Sequence, residues 1–440
     1  MAPNSPADRP SEPQTTETSR LHAVVDYEDS YVQPLLLSVL NAQLPPETLL
    51  LIKDASEVTQ NCQLLQWRQY ESVDFDHLMT NATTSIANSY IIRKALIRKH
   101  YLSATVNHWL TKNPESLLKK HVQSSIEFEV DYAEFLDDAL LEAYELKESW
   151  ARNASLDEDD PDREWWILKP GMSERGQGIR LFSSEEELTS IFEEWDPPSD
   201  DEDDDATSHD GKGDDSNGVM ASHLRHFIAQ PYVKQPLLMP DAHPSCNRKF
   251  HVRTYVVAVG ALRVYVYRPM LALFAGESYF DPSTSATPNE SLSSHLTNTC
   301  LQDGTREGSV HAFWSLPGEV SDKVGIDWKD EVFEQICLVT GEVFEAAARS
   351  MSIHFQPLPN AFEIFGLDFL VDATGNAWLL EVNAFPDFAQ TGHELQDIIK
   401  TLFEGVTQVA IKPFMGIVEH SDGPWHPDMP RVLDIDLGRR

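Results

Sequence analysis

Residues 363–383 combine two apolar segments with three side chains that could bind a metal ion. The segments EIFGLDFLVD and AWLLEVN flank a polar step, which is typical of a short antiparallel hairpin. With a two-residue loop at 374–375, Asp368 faces Glu381 with Cβ atoms about 4.5–5.5 Å apart, and Asn383 follows on the same face. Facing carboxylates beside an amide oxygen favour Mg²⁺, a hard cation with oxygen ligands. The alternative is a solvated acidic face on an ordinary hairpin.

A second hairpin, KFHVRTYVVAVGALRVYVYRPML over residues 249–271, carries positive charge. It alternates around Gly260–Ala261, and glycine in the first loop position suits a type II′ turn. This register places Arg253 opposite Arg268, with Lys249 on the same face. Like charges facing each other destabilise a sheet, and a bound anion would relieve the repulsion, because guanidinium groups match phosphate or carboxylate. Pairing of the arginines with nearby Asp or Glu residues remains the alternative.

A glycine-rich loop follows a third strand in WWILKPGMSERGQGIRLF, residues 165–182. Lys169 stands at the end of the strand, where its ammonium group can reach phosphate oxygens. Gly176 and Gly178 allow backbone N–H groups to approach a phosphate closely. The spacing matches neither GxxxxGK[ST] nor GxGxxG, so a P-loop or dinucleotide-binding fold fits poorly. An ordinary hairpin with a glycine loop is the alternative.

The elements that position these groups mix helices with strands. Helical spacing of apolar residues predicts helices over 91–112, 331–351 and 392–410. Strand-like patterns cover 165–169, 227–233, 249–269 and 363–383. In IAQPYV, Pro231 leaves a peptide edge that suits a purine base or a plain edge strand. The mixture predicts an α+β or α/β enzyme.

Composition excludes several classes of function. The 440 residues carry 34 Lys and Arg against 71 Asp and Glu, a formal charge of −37, which argues against binding nucleic acid or an anionic membrane. Four cysteines without metal spacing indicate reduced thiols. The first residues lack the apolar core of a signal peptide, so we expect a soluble protein of the cytoplasm or nucleus. We predict a disordered arm at 1–20 and a flexible acidic insert at 196–221.

Taken in order, the motifs resemble one family. They are Lys169 to Gly178, Gln230-x-Tyr232, Arg248-Lys249-Phe250-x-x-Arg253, His295-Leu-Thr-Asn298, Gly366-x-Asp368-Phe369 and Glu381-Val382-Asn383. This series resembles the tubulin–tyrosine ligase family, which has the ATP-grasp fold, from about residue 90 to 390. The stretch Asn88–Lys99 is similar to the family's early Arg-Lys motif, especially in a fungal branch with a P-body-associated member.

The resemblance implies an α+β ATP-grasp architecture with nucleotide held between two subdomains. We expect an N-terminal subdomain at 21–91, a central one at 92–233, a C-terminal one at 234–430 and a tail at 431–440. The implied cofactors are ATP and Mg²⁺, with Asp368, Glu381 and Asn383 as metal ligands and Arg253 and Arg268 holding phosphate or the reacting carboxylate. The implied nucleotide contacts are Lys94, Lys169, Gly176, Gly178, Gln230, Pro231, Tyr232, Val233, Lys249, His251 and Asn298. The family usually has Asp where this chain has His251, so we expect altered nucleotide binding or choice.

The implied reaction joins a carboxylate to an amine. ATP phosphorylates the carboxylate, and the amine of an amino acid, expected to be tyrosine, attacks the acyl phosphate. The expected acceptor is a protein C-terminus such as the acidic tail of α-tubulin, which needs local positive charge from the segment Arg93–His100. On a continuous helix Lys94 and Arg98 would share a face while Lys99 turns away. Open alternatives are a ligase that adds glutamate or glycine and an interaction module for mRNA-decay proteins, with or without ATP, located in P-bodies.

Overall fold

The structure is a computed structural model that describes residues 20–59, 62–171, 176–195, 225–285, 288–297, 309–391, 395–417 and 426–438. Most of the expected arm at 1–20 and all of the acidic insert at 196–221 lie outside the described residues. The strands of the described residues form three sheets, one in each of three successive parts of the chain.

The N-terminal part is a small parallel sheet in the order β2-β1-β3-β4. Its elements are β1 (Leu21–Asp26), α1 (Val32–Gln43), β2 (Leu49–Leu51), β3 (Gln63–Arg68), α2 (Phe75–Thr80) and β4 (Ser85–Ala87). Helix α1 buries Val32, Leu36, Val39 and Leu40, a spacing of three and four residues that places one apolar stripe against the core.

Three helices then connect the first sheet to the second: α3 (Lys94–Ile97), α4 (Lys99–Lys112) and α5 (Leu118–His121). The predicted helix over 91–112 is interrupted at Arg98, whose backbone is extended with φ −107° and ψ 123°. Leu96, Leu102 and Leu118 belong to the C-terminal core. These helices, which the sequence assigns to a central subdomain beginning at residue 92, therefore pack with the C-terminal sheet.

The central sheet is antiparallel in the order β5-β8-β6-β7. Its elements are β5 (Ile126–Glu129), α6 (Leu136–Ala139), α7 (Tyr144–Asn153), β6 (Trp166–Pro170), β7 (Arg180–Phe182), α8 (Glu185–Trp195) and β8 (His226–Pro231). Helices α6 to α8 bury their apolar side chains on one face of this sheet in a core of their own. The opposite face of the central sheet is directed toward the rest of the molecule.

The C-terminal sheet has seven strands. They are β9 (Phe250–Val259), β10 (Arg263–Val266), β11 (Leu271–Phe274), β12 (Val310–Ala312), β13 (Phe362–Val371), β14 (Ala377–Ala384) and β15 (Arg431–Asp434). The helices of this part are α9 (Leu292–His295), α10 (Trp328–Ser350), α11 (Gln396–Val406) and α12 (Lys412–Phe414), with a π-helical turn at Thr407–Ile411. Strand β15 pairs with β10, so the residues expected to form a tail at 431–440 include a strand of the sheet.

Both faces of this sheet are covered, which explains why β9 and β13 are buried along their whole length. On one face, Val252 and Leu367 pack against α4 and the long helix α10. On the other face, Val257 and Ile364 pack against α11 and the N-terminal sheet. The part of this second face that lies under the central sheet carries the polar side chains of the site.

The two hairpins differ in how well their register was predicted. In the β13–β14 pair Asp368 lies opposite Glu381, as predicted. Near the turn the register differs by one residue, and a bulge at Leu380 restores the predicted pairing. The β9–β10 turn holds three residues rather than two, because Val259 pairs with Arg263. A shift of one residue moves a side chain to the opposite face, so the predicted pairing of Arg253 with Arg268 is wrong.

Candidate active site

A cavity of about 870 Å³ lies between the central and C-terminal sheets and reaches the N-terminal subdomain. This volume is within the usual range for sites that bind small molecules. The structure brings twelve of the sixteen predicted site residues to its wall: Lys169, Gly176, Gln230, Pro231, Tyr232, Val233, Lys249, His251, Arg253, Asp368, Glu381 and Asn383. The motifs that are spread over more than 200 residues of sequence therefore meet in one place.

Two buried lysines form the positive side of the cavity. Lys169 Nζ donates to Gln230 Oε1 at 2.8 Å, and Lys249 Nζ donates to the Tyr232 hydroxyl at 3.0 Å. Burial lowers the pKa of Lys169 to about 8. Burial, with the nearby charge of Lys169, lowers the pKa of Lys249 to about 7. Among the described residues no carboxylate forms an ion pair with either ammonium group, so both are available to a bound anion.

The glycine loop begins where β6 ends. Gly176 and Gly178 have φ of +79° and +72°, a backbone conformation that glycine adopts without strain. Gly176 lines the cavity, whereas Gly178 is buried just beside it and does not. Gly176 and Lys169 thus line the same cavity, and residues 172–175 between them lie outside the described ranges.

Apolar side chains enclose the inner part of the cavity. Ile167 comes from the central sheet, and Leu370 and Leu379 come from the C-terminal sheet. The backbone of 230–233 passes along the edge between them, where Tyr232 N donates to Trp165 O at 2.8 Å. The space between these apolar walls and beside the peptide edge suits the flat ring of a purine base.

The acidic side of the cavity is built on β13 and β14. Asp368 accepts hydrogen bonds from Arg253 Nε at 2.5 Å and Nη2 at 2.9 Å. Burial alone would raise the pKa of Asp368, but Arg253 and His251 outweigh it and hold the pKa well below its usual range. Burial also opposes ionisation of Glu381, whose pKa is nevertheless lowered, mainly by Lys99. Lys99 Nζ lies 3.1 Å from Glu381 Oε2.

These residues fit a magnesium ion. Both carboxylates are ionised at neutral pH, since the pKa of each is lowered. Asn383 Nδ2 lies 3.2 Å from Asp368 Oδ2 and 3.1 Å from Glu381 Oε1, so its amide touches both acids. An ion held by Asp368 and Glu381 would have two anionic ligands, and Asn383 would add a neutral one by turning its amide so that the oxygen replaces Nδ2, which suits Mg²⁺ shared with substrate phosphates.

His251 contacts the same acid. Its Nε2 lies 3.4 Å from Asp368 Oδ1, and its Nδ1 is hydrogen-bonded to Thr297 Oγ1. On β11 the residue paired with His251 is Leu273, which also lines the cavity. His251, at the position where the family usually has Asp, therefore packs against Asp368 and Leu273.

Besides Gly178, two predicted residues do not line the cavity and a third is not described. Lys94 is exposed and does not line the cavity, whereas Arg98 and Lys99 do. Because α3 ends before Arg98, the spacing of a continuous helix does not apply, and that spacing was the reason to expect Lys99 on a different face from Lys94 and Arg98. Arg268 lies outside the cavity, where it pairs with Asp330 at 2.8 Å and its guanidinium group stacks on Trp314. Asn298 lies outside the described residues.

An outer lobe of the cavity was not predicted from sequence. Gln69, Tyr70 and Glu71 of the N-terminal subdomain line it. The guanidinium of Arg93 stacks on Tyr70, 3.7 Å from the ring centroid, and pairs with buried Glu363 at 2.8 Å. Periodicity within the first ninety residues gave no signal for this role, because it arises only when the two subdomains pack together.

The fold that holds this cavity matches a solved ATP-grasp enzyme. The crystal structure of the C-terminal domain of Pby1 from K. lactis, described as an ATP-grasp enzyme interacting with the mRNA decapping enzyme Dcp2, matches with a TM-score of 0.68. The two chains share 35% identity, over 95% of this chain and 99% of that one.

The family follows from the sequence comparison. The model of the tubulin-tyrosine ligase family matches residues 81–416, and the chain belongs to that family. A probable tubulin–tyrosine ligase of Schizosaccharomyces pombe is 44% identical over 396 residues, 89% of this chain and 91% of the relative. The probable tubulin–tyrosine ligase PBY1 of Saccharomyces cerevisiae is 43% identical over 383 residues, 84% of this chain. The match spans only 49% of that second relative.

None of the helices in the described ranges combines the length and the apolar character that a membrane span requires.

Proposed function

We propose that this protein is a Mg²⁺- and ATP-dependent ligase that joins a carboxylate to an amine. The observation that carries the proposal is the charge arrangement of the cavity. Two buried lysines without acidic partners among the described residues face two ionised carboxylates. Polyphosphate would neutralise the lysines, and Mg²⁺ would join the cations Arg253 and Lys99 that the two acids already contact, so Mg-ATP suits both sides of the cavity.

The reaction has two steps. An acceptor carboxylate oxygen attacks the terminal phosphorus of ATP, and the bond to the leaving ADP breaks. The amine nitrogen of the second substrate then attacks the carbonyl carbon of the acyl phosphate, phosphate leaves and the amine loses a proton. Lys169 and Lys249 would bind the phosphoryl oxygens on which charge develops. Asp368, Glu381 and Asn383 would hold Mg²⁺, and Arg253 keeps Asp368 ionised and oriented.

We place the acceptor in the outer lobe. Arg98 lines the same cavity and forms no ion pair with any described residue, so its guanidinium group is available to a carboxylate. The names of the relatives make the C-terminus of α-tubulin the first acceptor and tyrosine the first amino acid to test. A probable alpha-tubulin polyglutamylase of Tetrahymena thermophila is a more distant relative, at 25% identity over 56% of this chain, so glutamate is the next amine to test.

The test is ADP formation with Mg-ATP, tyrosine and detyrosinated tubulin. We expect ADP release that requires both co-substrates and that is lost in Glu381→Gln. This variant keeps the shape of the side chain and removes the charge that faces Asp368. If release occurs without tubulin or survives in Glu381→Gln, the assignment of this cavity as the ligase site is wrong.

A second candidate function is binding of a decapping enzyme. The observation that favours it is the match to 99% of the solved Pby1 domain, which is described as interacting with the mRNA decapping enzyme Dcp2. Under this second hypothesis the protein acts in the cytoplasm, together with the mRNA-decay proteins of P-bodies. Calorimetry with the purified decapping enzyme of the same species tests it, and the absence of a binding heat with well-folded protein would contradict it.

A further inference from the structure

One segment of the central subdomain is apolar toward solvent as well as toward the core. The segment, residues 131–145, runs from the end of β5 to the first turn of α7. Its inward side chains, Leu136, Leu140 and Ala143, are buried. Its outward apolar side chains are Tyr132, Phe135, Leu141 and Tyr144, which are 45%, 48%, 62% and 69% exposed.

The exposure is concentrated. Ten large apolar side chains are exposed among the described residues, and four of them fall between Tyr132 and Tyr144. The rings of Tyr132 and Phe135 contact each other, with centroids 6.4 Å apart. Single exposed apolar residues are normal on protein surfaces, but a cluster of them commonly marks a site of association.

The same segment is acidic. Its sequence, DYAEFLDDALLEAYE, holds six acidic and no basic residues. Asp131 lies 3.5 Å from Arg225. The other five, Glu134, Asp137, Asp138, Glu142 and Glu145, are exposed and form no ion pair within the part of the chain that the structure describes. Unpaired negative charge therefore surrounds the exposed apolar side chains.

We propose that the 131–145 surface binds a short peptide segment of a partner protein that carries apolar side chains flanked by lysine or arginine. The apolar anchors would bury against Leu141, Tyr144 and the aromatic pair, and the basic residues would pair with the acidic rim. Such opposite charge speeds encounter and selects the partner. No residue of the segment lines the cavity, so the peptide would bind outside the candidate active site.

The charge of the surface argues against other occupants. A second copy of this chain would bring a net charge of −37 against an acidic surface, and an anionic lipid headgroup would be repelled in the same way. The acidic tail of tubulin would be repelled as well. A basic segment is the occupant that the charge favours.

The experiment is selection of peptides from a phage-displayed random library on the immobilised full chain, with counter-selection on the double variant Leu141→Ser/Tyr144→Ser. Both side chains are more than half exposed, so the variant should fold, and its melting temperature and its stabilisation by Mg-ATP check this. The matched control is Ile353→Ser, which removes a side chain that is 75% exposed elsewhere on the surface. An enriched peptide is then synthesised and its affinity measured by fluorescence anisotropy.

We expect enriched peptides to combine apolar residues with lysine or arginine. Their affinity should fall at least about fivefold in the double variant and remain unchanged in Ile353→Ser. Asp137→Lys/Asp138→Lys should weaken binding more at low salt than at high salt. Acidic or uncharged consensus peptides, equal binding to the double variant, or no enrichment would overturn the proposal. So would a dimer in sedimentation velocity that the double variant abolishes, because the surface would then bind a second copy.

Discussion

The lowered pKa values of the two cavity lysines predict that binding of Mg-ATP takes up protons. With a pKa of about 7 for Lys249 and about 8 for Lys169, both side chains lose their protons well before an exposed lysine would. At pH 8 about one tenth of Lys249 and half of Lys169 are charged. Phosphate oxygens stabilise the charged forms, so binding at pH 8 should take up about 1.4 protons.

The affinity for ATP should therefore fall as pH rises. A lysine with a lowered pKa is charged below that pKa and neutral above it, so the loss occurs in the window from pH 7 to pH 9. If only the doubly charged site binds, the affinity falls about tenfold from pH 7 to pH 8 and about fiftyfold from pH 8 to pH 9. An ordinary lysine would stay charged throughout this window.

Titration calorimetry of Mg-ATP in buffers of different ionisation enthalpy measures the proton uptake. Lys249→Arg keeps the charge but cannot lose it, so this variant should take up about 0.9 proton fewer at pH 8. The control is Lys94→Arg, an exposed position that should change nothing. Binding heats that are independent of the buffer, or an affinity that is constant from pH 7 to pH 9, would refute this account of the lysines.

Two further predictions compare matched variants. Lys99→Met removes a cation at the cavity wall and leaves Glu381 unpaired, so Mg-ATP turnover should fall at least about tenfold, whereas Lys94→Met should leave it unchanged. Equal effects in the two variants would contradict the position of Lys99. A Cβ at Gly341 would lie 2.8 Å from the backbone oxygen of Val432, so Gly341→Ala should lower the free energy of unfolding by about 1–3 kcal/mol in urea titrations. In Gly405→Ala the new Cβ meets only the flexible end of Met429 and the helix gains propensity, so the variant should be neutral or more stable. If Gly405→Ala lowers the free energy of unfolding as much as Gly341→Ala does, the packing of β15 on α10 is not the cause of the loss in Gly341→Ala.

Local patterns predicted the acidic pair well. The alternation of β13 and β14 and the polar step between them were enough to place Asp368 opposite Glu381. The turn itself was not predicted correctly, since Asp372 pairs with Asn376 around a three-residue loop. The pairing survived because the bulge at Leu380 shifts the register back. A bulge of this kind leaves no clear signal in a single sequence.

Local patterns failed where one residue changes the geometry. The extra loop residue at 260–262 moved Arg268 out of line with Arg253, and the partner of Arg253 is Asp368 on β13, which lies more than a hundred positions further along the chain. Similarly, the extended backbone of Arg98 ends one helix and begins another, which turns Lys99 toward Glu381. Continuous periodicity across a break misassigns every residue on one side of it.

Contacts between subdomains could not be predicted from local patterns at all. Helices α3 to α5 complete the core of the C-terminal sheet, although the chain reaches them before the central sheet. The outer lobe of the cavity depends on Tyr70 and Arg93, which meet only when the N-terminal sheet packs in place. The order of motifs indicated the fold, but the packing determined which charged residues reach the cavity.

The most direct test of the central claim is mass spectrometry of the acceptor's C-terminal peptide after incubation with the protein, Mg-ATP and isotope-labelled tyrosine. The account predicts a peptide extended by one labelled residue, formed by the natural chain and by Lys94→Arg and absent with Glu381→Gln. If detyrosinated tubulin remains unmodified with the natural chain while Mg-ATP binds, the proposed ligation of tyrosine to tubulin is contradicted.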